Sequence, residues 1–279
     1  MNHLIKVVNF YKIRKENDKK AINYFFDLIS ENYFLKSTRT IKFQDFSFIF
    51  FSKKNIIKNG CPLCVDNIYK NQNLKVMPIY LYDRFFVIQP SYKQYITSHI
   101  VIIDLIHIPH KIDNNTINYF ISFVKLFPSY FICANNHLDK IGGSVNEHLH
   151  YQAGIYDMPI FHKDAVLVED DIYEVEWYLT TFLIKSESEE IIKEKYLYLL
   201  EKYQNEVTSF NPILFIRGNI YYLYMILRCA EEINIHDEYK DFKVGIGVFE
   251  VMGHFVLNEQ PTPPHKMCEL AKKILSYKR

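Results

Sequence analysis

The sequence predicts an α+β fold, a largely antiparallel sheet with packed helices in two related halves. Three observations carry this. Strand-length apolar runs alternate with amphipathic helical patterns. The order of patterns after about residue 165 resembles the order before it. No apolar run approaches the roughly 18–20 residues that cross a bilayer.

Taken in order, residues 18–35 (DKKAINYFFDLISENYFL) place apolar residues at helical spacing and predict a helix. IKFQDFSFIFFSKK alternates and reads as a strand, and the polar turn KNG leads into Cys61. PIYLYDRFFVIQPSY and HIVIIDLIH read as two further strands. NNTINYFISFVKLF has an Asn positioned to cap a helix, SYFICANN is a short apolar strand, and EHLHYQAG is the next strand. In the second half EVEWYLTTFLIKS is a strand and SEEIIKEKYLYLLEKYQNEV a long helix. PILFIRGNIYYLYMILR is a hairpin turning at Arg217-Gly218-Asn219, and VGIGVFEVMGHFVL closes the pattern before a PTPP turn and a C-terminal helix. The expected division is an N-terminal segment over 1–57, a first half over 58–165 and a second half over 166–279.

A chain of 279 residues that is 49% hydrophobic can bury a sizeable core. A net charge of +1 argues against a general nucleic-acid or membrane-surface binder. Five cysteines, an odd number, argue against a disulfide framework. Charges interrupt the first residues too early for a secretory signal, so a reducing, cytoplasmic setting is the default expectation.

The chemistry concentrates in GGSVNEHLHYQAG, residues 142–154. On a strand, His148, His150 and Gln152 line one face, while Leu149 and Tyr151 enter the opposite layer. The turn Gly142-Gly143-Ser144 lets backbone N–H groups approach an anion, because glycine has no side chain in the way. Two imidazoles, an amide and such a turn make a phosphate-handling site; the bland alternative is hydrogen-bonded histidines on a solvated face. The second feature is CPLC. Cys61 and Cys64 are half of a zinc site, a redox pair, or two small residues in a turn. With His107 and His148 they would close a tetrahedral structural site and leave His150 free of metal. His99 and His110, near His107, read as structural or surface residues, and Cys133, Cys229 and Cys268 as buried small hydrophobes.

These segments resemble the galactose-1-phosphate uridylyltransferases of the histidine-triad superfamily, most closely the class II bacterial enzymes. CPLCVDN, FFVIQPSYKQYITSHIVIIDLIHIPHKI, FPSYFICANNHLDKIGGSVNEHLHYQAG, VEWYLTTFLIKS, MILR and VGIGVFEVMGHFVL follow one another in the family's order. The resemblance implies a histidine-triad-like fold, a homodimer, and UMP transfer between a nucleotide sugar (UDP-hexose) and a hexose 1-phosphate. It makes His150 the nucleophile of a covalent uridylyl intermediate and gives Gln152 a phosphate oxygen to hold. It aligns Asn135 and Ser144 with nucleotide contacts. It makes Cys61, Cys64, His107 and His148 ligands of a structural zinc. Departures fall in the half expected to hold the sugar phosphate. Phe210 stands where the family has His, and an Arg-rich segment is reduced to FIRGN, leaving Arg217 as the candidate contact. A nucleotide-sugar or dinucleoside-polyphosphate phosphorylase would use the same His150, and a zinc-stabilised binding protein without turnover is the non-enzymatic alternative.

Overall fold

A computed structural model describes residues 25, 40–50, 60–68, 76–91, 94–138, 141, 145–230, 246–257 and 264–276. In chain order the described elements are β1 (Thr40–Phe43), β2 (Phe46–Phe50), α1 (Val65–Asn67), β3 (Met77–Leu81), β4 (Arg84–Pro90), β5 (Thr97–Asp104), α2 (Thr116–Leu126), β6 (Phe131–Cys133) and β7 (His150–Ile155). A 3-10 turn over Pro159–His162 leads to β8 (Ala165–Glu169), β9 (Ile172–Val175), β10 (Thr181–Ser186), α3 (Glu189–Tyr203), β11 (Thr208–Arg217) and β12 (Ile220–Cys229). The last elements are α4 (Val248–Val251), β13 (His254–Leu257) and α5 (Pro264–Leu275).

Ten strands form one sheet in the order β3-β4-β5-β7-β6-β11-β12-β10-β9-β8. Every pairing in it is antiparallel. The order repeats the same connection twice. A hairpin, a third strand and a helix are followed by two strands, the last of which inserts between the third and the fourth. The halves meet where β6 pairs with β11, Cys133 opposite Ile213. The fold is thus α+β, with two related halves as the sequence predicts.

The two faces of the sheet are covered differently. On one, α2 presents Ile117, Phe120, Phe123 and Val124, and α3 presents Ile192, Tyr196, Leu199 and Leu200; both pack on Phe86, Ile102, Tyr151, Leu214 and Leu223. On the other, a three-stranded sheet (β1-β2-β13) with α4 and α5 buries Phe46, Phe255, Val248 and Ile274 against Cys133, Ile213, Tyr224 and Ile226. A smaller cluster sets Cys61, Leu63, Val65 and Ile68 over Val87, Val101 and Ile103. Burial of apolar area at about 25 cal/mol per Å² is the main force holding these layers.

Several local expectations are corrected. IKFQDFSFIF is two strands, because Gln44 takes a left-handed turn at φ 51 and β1 folds back on β2. PIYLYDRFFVIQP is likewise a hairpin, turning at Tyr82 with φ 55. The N-terminal turn of α2 is capped by Asp113, whose Oδ1 accepts from Asn115 N (2.9 Å) and Thr116 N (3.2 Å), and not by the Asn115 side chain. α3 does use its Ser188 cap, which accepts from Ile191 N at 3.3 Å. The hairpin at Gly218 (φ 63) forms with Arg217 opposite Ile220. The described part of VGIGVFEVMGHFVL, residues 246–257, does not join the large sheet: it forms α4 and then β13, which pairs parallel with β2. The helix expected over 18–35, the PTPP turn, and Gly142, Gly143 and Ser144 lie outside the described residues, Phe25 and Pro264 excepted.

Candidate active site

Strand β7 carries the site. Its regular pairing starts at His150, opposite Ile103 of β5, and places Gln152 between Val101 and Cys133. Alternation therefore puts His150 and Gln152 on one face, and sends Tyr151 into the helical layer against Phe86 and Phe120. His148 lies in the bend before the strand, not on it, and reaches sideways to the Cys61–Cys64 turn.

Four ligand atoms converge there. Cys61 Sγ is 3.5 Å from His148 Nδ1, and Cys64 Sγ is 3.1 Å from His107 Nδ1 and 3.8 Å from His148 Nδ1. All four atoms lie within 4.8 Å of one another. Ligand atoms around tetrahedral zinc, with bonds of about 2.0–2.3 Å, stand about 3.3–3.8 Å apart. The second nitrogen of His148 supports the fit, since Nε2–H donates to the Asp104 carbonyl at 2.9 Å and so turns the Nδ1 lone pair toward the cysteines. Two thiols facing two imidazoles suit a metal better than a dithiol redox pair. Asp104 is held by Arg84 at 2.8 Å and by the Ile106 N–H at 2.7 Å.

His150 is pinned through its backbone surroundings. Its Nδ1–H donates to the His148 carbonyl at 2.8 Å, which leaves Nε2 with the lone pair. Burial lowers its pKa to about 4, so the ring is neutral at pH 7. Beneath it lies His110, ring centroids 5.1 Å apart. His110 Nε2–H donates to the Asn135 carbonyl at 2.8 Å, and its Nδ1 accepts the His150 N–H at 3.5 Å. Burial, with His150 adding to it, brings the His110 pKa down to about 3, so this ring is neutral too. His99, 1% exposed, meets Gln152 with Nε2 3.0 Å from Oε1. Sequence reasoning left His99 and His110 as structural or surface residues; neither is at the surface, and both bear on the motif. Only the folded geometry, and not the spacing, reveals that: His99 emerges from the β5 bulge and His110 from the segment after β5.

Asn135 is buried at the C-terminal end of β6, where its Oδ1 accepts from Val248 N at 2.8 Å and so anchors the start of α4. Arg217 is not brought to the site. Gln152 and Ile213 both pair with Cys133, so His150 is level with Asn211, six residues before Arg217. Six strand residues span about 20 Å. Arg217 instead lies exposed at the far end, 3.4 Å from Asp157. The arginine that the register brings to the His150 end is Arg228, fully buried, donating to Asn211 Oδ1 (2.9 Å) and the Ile246 carbonyl (3.1 Å).

Known proteins resemble the chain in sequence and in shape. A galactose-1-phosphate uridylyltransferase of Bacillus subtilis (strain 168) is 27% identical, over 71% of this chain and 46% of its own. One from Enterococcus faecalis is 25% identical, over 97% of this chain and 66% of its own. The chain resembles the galactose-1-phosphate uridylyltransferases. It spans about half the length of the first curated relatives it matches. No family model matches the chain. The crystal structure of the yeast Ap4A phosphorylase Apa2 superposes with a TM-score of 0.58 at 14% identity, covering 94% of both chains. That likeness establishes the α+β histidine-triad-like fold. No helix among the described residues is long and apolar enough to cross a membrane.

Proposed function

We propose that the protein is a nucleotidylyltransferase that moves UMP between a nucleotide sugar and a hexose 1-phosphate through a covalent intermediate on His150. The observation that carries this reading is the pinned tautomer of His150. With Nδ1–H held by the His148 carbonyl, the Nε2 lone pair is the nucleophile. It attacks the α-phosphorus of the nucleotide sugar, an N–P bond forms, and the P–O bond to the sugar phosphate breaks. Hexose 1-phosphate departs with the bonding electrons. A phosphate oxygen of a second hexose 1-phosphate then attacks the same phosphorus and His150 leaves as neutral imidazole. Gln152 holds a phosphate oxygen of the intermediate; an amide supplies no acid proton to help water compete. Asn135, Gly142, Gly143 and Ser144 would contact the nucleotide phosphates and ribose. The resemblance also supports a homodimer and a cytoplasmic setting.

Cys61, Cys64, His107 and His148 would hold a structural zinc. Their bonds to it would tie the Cys61–Cys64 turn to the bend before β7. His148 would so be held in place, and its carbonyl sets the tautomer of His150. Arg217 has no part in this reading; Arg228 braces Asn211, whose Nδ2 donates to the Ala134 carbonyl at 2.9 Å beside Asn135.

A second reading is a phosphorylase that releases the nucleotide to inorganic phosphate, favoured by the shape shared with the Ap4A phosphorylase. The acceptor separates the two. Isolated nucleotidyl-enzyme is mixed with glucose 1-phosphate, galactose 1-phosphate or inorganic phosphate. Release by a sugar phosphate at rates well above those with inorganic phosphate supports the transferase; the reverse order replaces it.

A further inference from the structure

We infer that His99 is the positioning residue that decides which end of the Gln152 amide faces the reacting phosphate. The inference rests on the transferase reading of the site. A glutamine amide has an acceptor end and a donor end, and a phosphate oxygen is served only by the donor end. The choice is made by whatever holds the other end. Here that partner is His99, with Nε2 3.0 Å from Gln152 Oε1. A His99 ring that carries its proton on Nε2 donates to Oε1 and leaves the NH2 of Gln152 for the anion. A ring with Nε2 bare would invert the amide and turn a carbonyl oxygen onto the phosphate.

The surroundings of His99 are built to hold it. Strand β5 carries a bulge between Thr97 and Ile100, and Ser98 sits at φ 53, so the chain is bent where His99 emerges. Gln94, 5% exposed, braces this corner three ways. Its Nε2 donates to the Ser91 carbonyl (2.8 Å) and the His99 carbonyl (2.9 Å), and its Oε1 accepts from His99 N (3.0 Å). Phe249 of α4 meets the imidazole edge-on at 5.1 Å and Tyr95 lies 5.5 Å away. Gly154, two residues after Gln152, leaves room for the corner, since a methyl there would lie 2.4 Å from Ile96 Cδ1. A ring held this firmly, from a different strand, has one orientation to offer the amide.

Two measurements test the assignment. The first needs no turnover: ¹⁵N NMR of the histidine rings reports the tautomer of His99 directly, with His99→Gln used for assignment. A proton on Nε2 is expected, and a bare Nε2 would overturn the proposal. The second is a cycle in nucleotidyl-enzyme formation from UDP-glucose, using His99→Phe, Gln152→Ala and the double variant, each checked for an unchanged melting transition. Loss of an orienting partner typically costs about 10–100-fold. His99→Phe should lose that much in the rate of adduct formation with little change in substrate KM. The double variant should be no slower than Gln152→Ala, and His99→Gln, which keeps an N–H donor, should recover most of the rate. Losses that multiply in the double variant, or a His99→Gln as slow as His99→Phe, would mean a structural role only. If the wild-type protein forms no adduct with any nucleotide sugar, the transferase reading fails, and the tautomer alone still decides how His99 holds Gln152.

Discussion

Replacing Gly154 with alanine loads the tightest point of the site. A methyl group there would lie 2.4 Å from Ile96 Cδ1, 2.9 Å from Ile96 Cγ1 and 3.0 Å from the Thr97 carbonyl oxygen. The Ile96 side chain is 5% exposed, so a rotation has little space to use. The Thr97 backbone moves only by taking Ser98 and His99 with it. Overpacking of a buried site costs about 1–3 kcal/mol, while alanine returns about 0.4–1 kcal/mol by restricting the unfolded chain. The expected net loss is about 1–2 kcal/mol, or about 2–8 °C in Tm. Ile96→Val removes the atom at 2.4 Å. Alone it should cost about 0.5–1.5 kcal/mol. On the Gly154→Ala background it should cost nothing or restore stability, a coupling of about 1 kcal/mol. Urea unfolding of the four proteins reads this directly. Losses that add, within about 0.3 kcal/mol, would refute the packing argument.

Other expectations follow from the same geometry. Cys61→Ser should abolish stoichiometric metal in elemental analysis of the purified protein and slow adduct formation, whereas Cys268→Ser, remote from that cluster, should leave metal content unchanged. Asn135→Ala strands the buried Val248 N–H and should cost about 1–3 kcal/mol in denaturant unfolding. His254 is buried neutral, its Nδ1 2.7 Å from Ser47 Oγ, and burial lowers its pKa to about 4. The unfolded chain, with its histidine near 6.5, takes up a proton first as pH falls, so stability is lost between about pH 6.5 and 4. This one residue should account for about 2 kcal/mol at pH 5 by linkage, and His254→Gln should flatten the dependence of unfolding free energy on pH.

What the sequence made legible had short-range signals. The period of two in HYQ placed His150 and Gln152 on one face, and Gly218 marked the β11–β12 hairpin. The ligand types of CPLC, His107 and His148 pointed to a cluster that could hold a metal, and the four side chains do converge. The hairpins at Gln44 and Tyr82 were missed because non-glycine residues occupy their left-handed turns, and nothing in FQD or YDR flags that. The pairing of β2 with β13 joins residues some two hundred positions apart. His99, His110 and Arg217 were weighed without knowledge of register. His99 reaches the motif from the β5 bulge and His110 from the segment after β5, while register carries Arg217 to the opposite end of the sheet.

The most direct measurement is the intact mass of the purified protein after incubation with UDP-glucose, beside His150→Ala. The account predicts a gain of one UMP on the wild type, none on the variant, and loss of the adduct on adding a hexose 1-phosphate. An unchanged mass across UDP, GDP, ADP, CDP and dTDP sugars, with the protein folded, would contradict it.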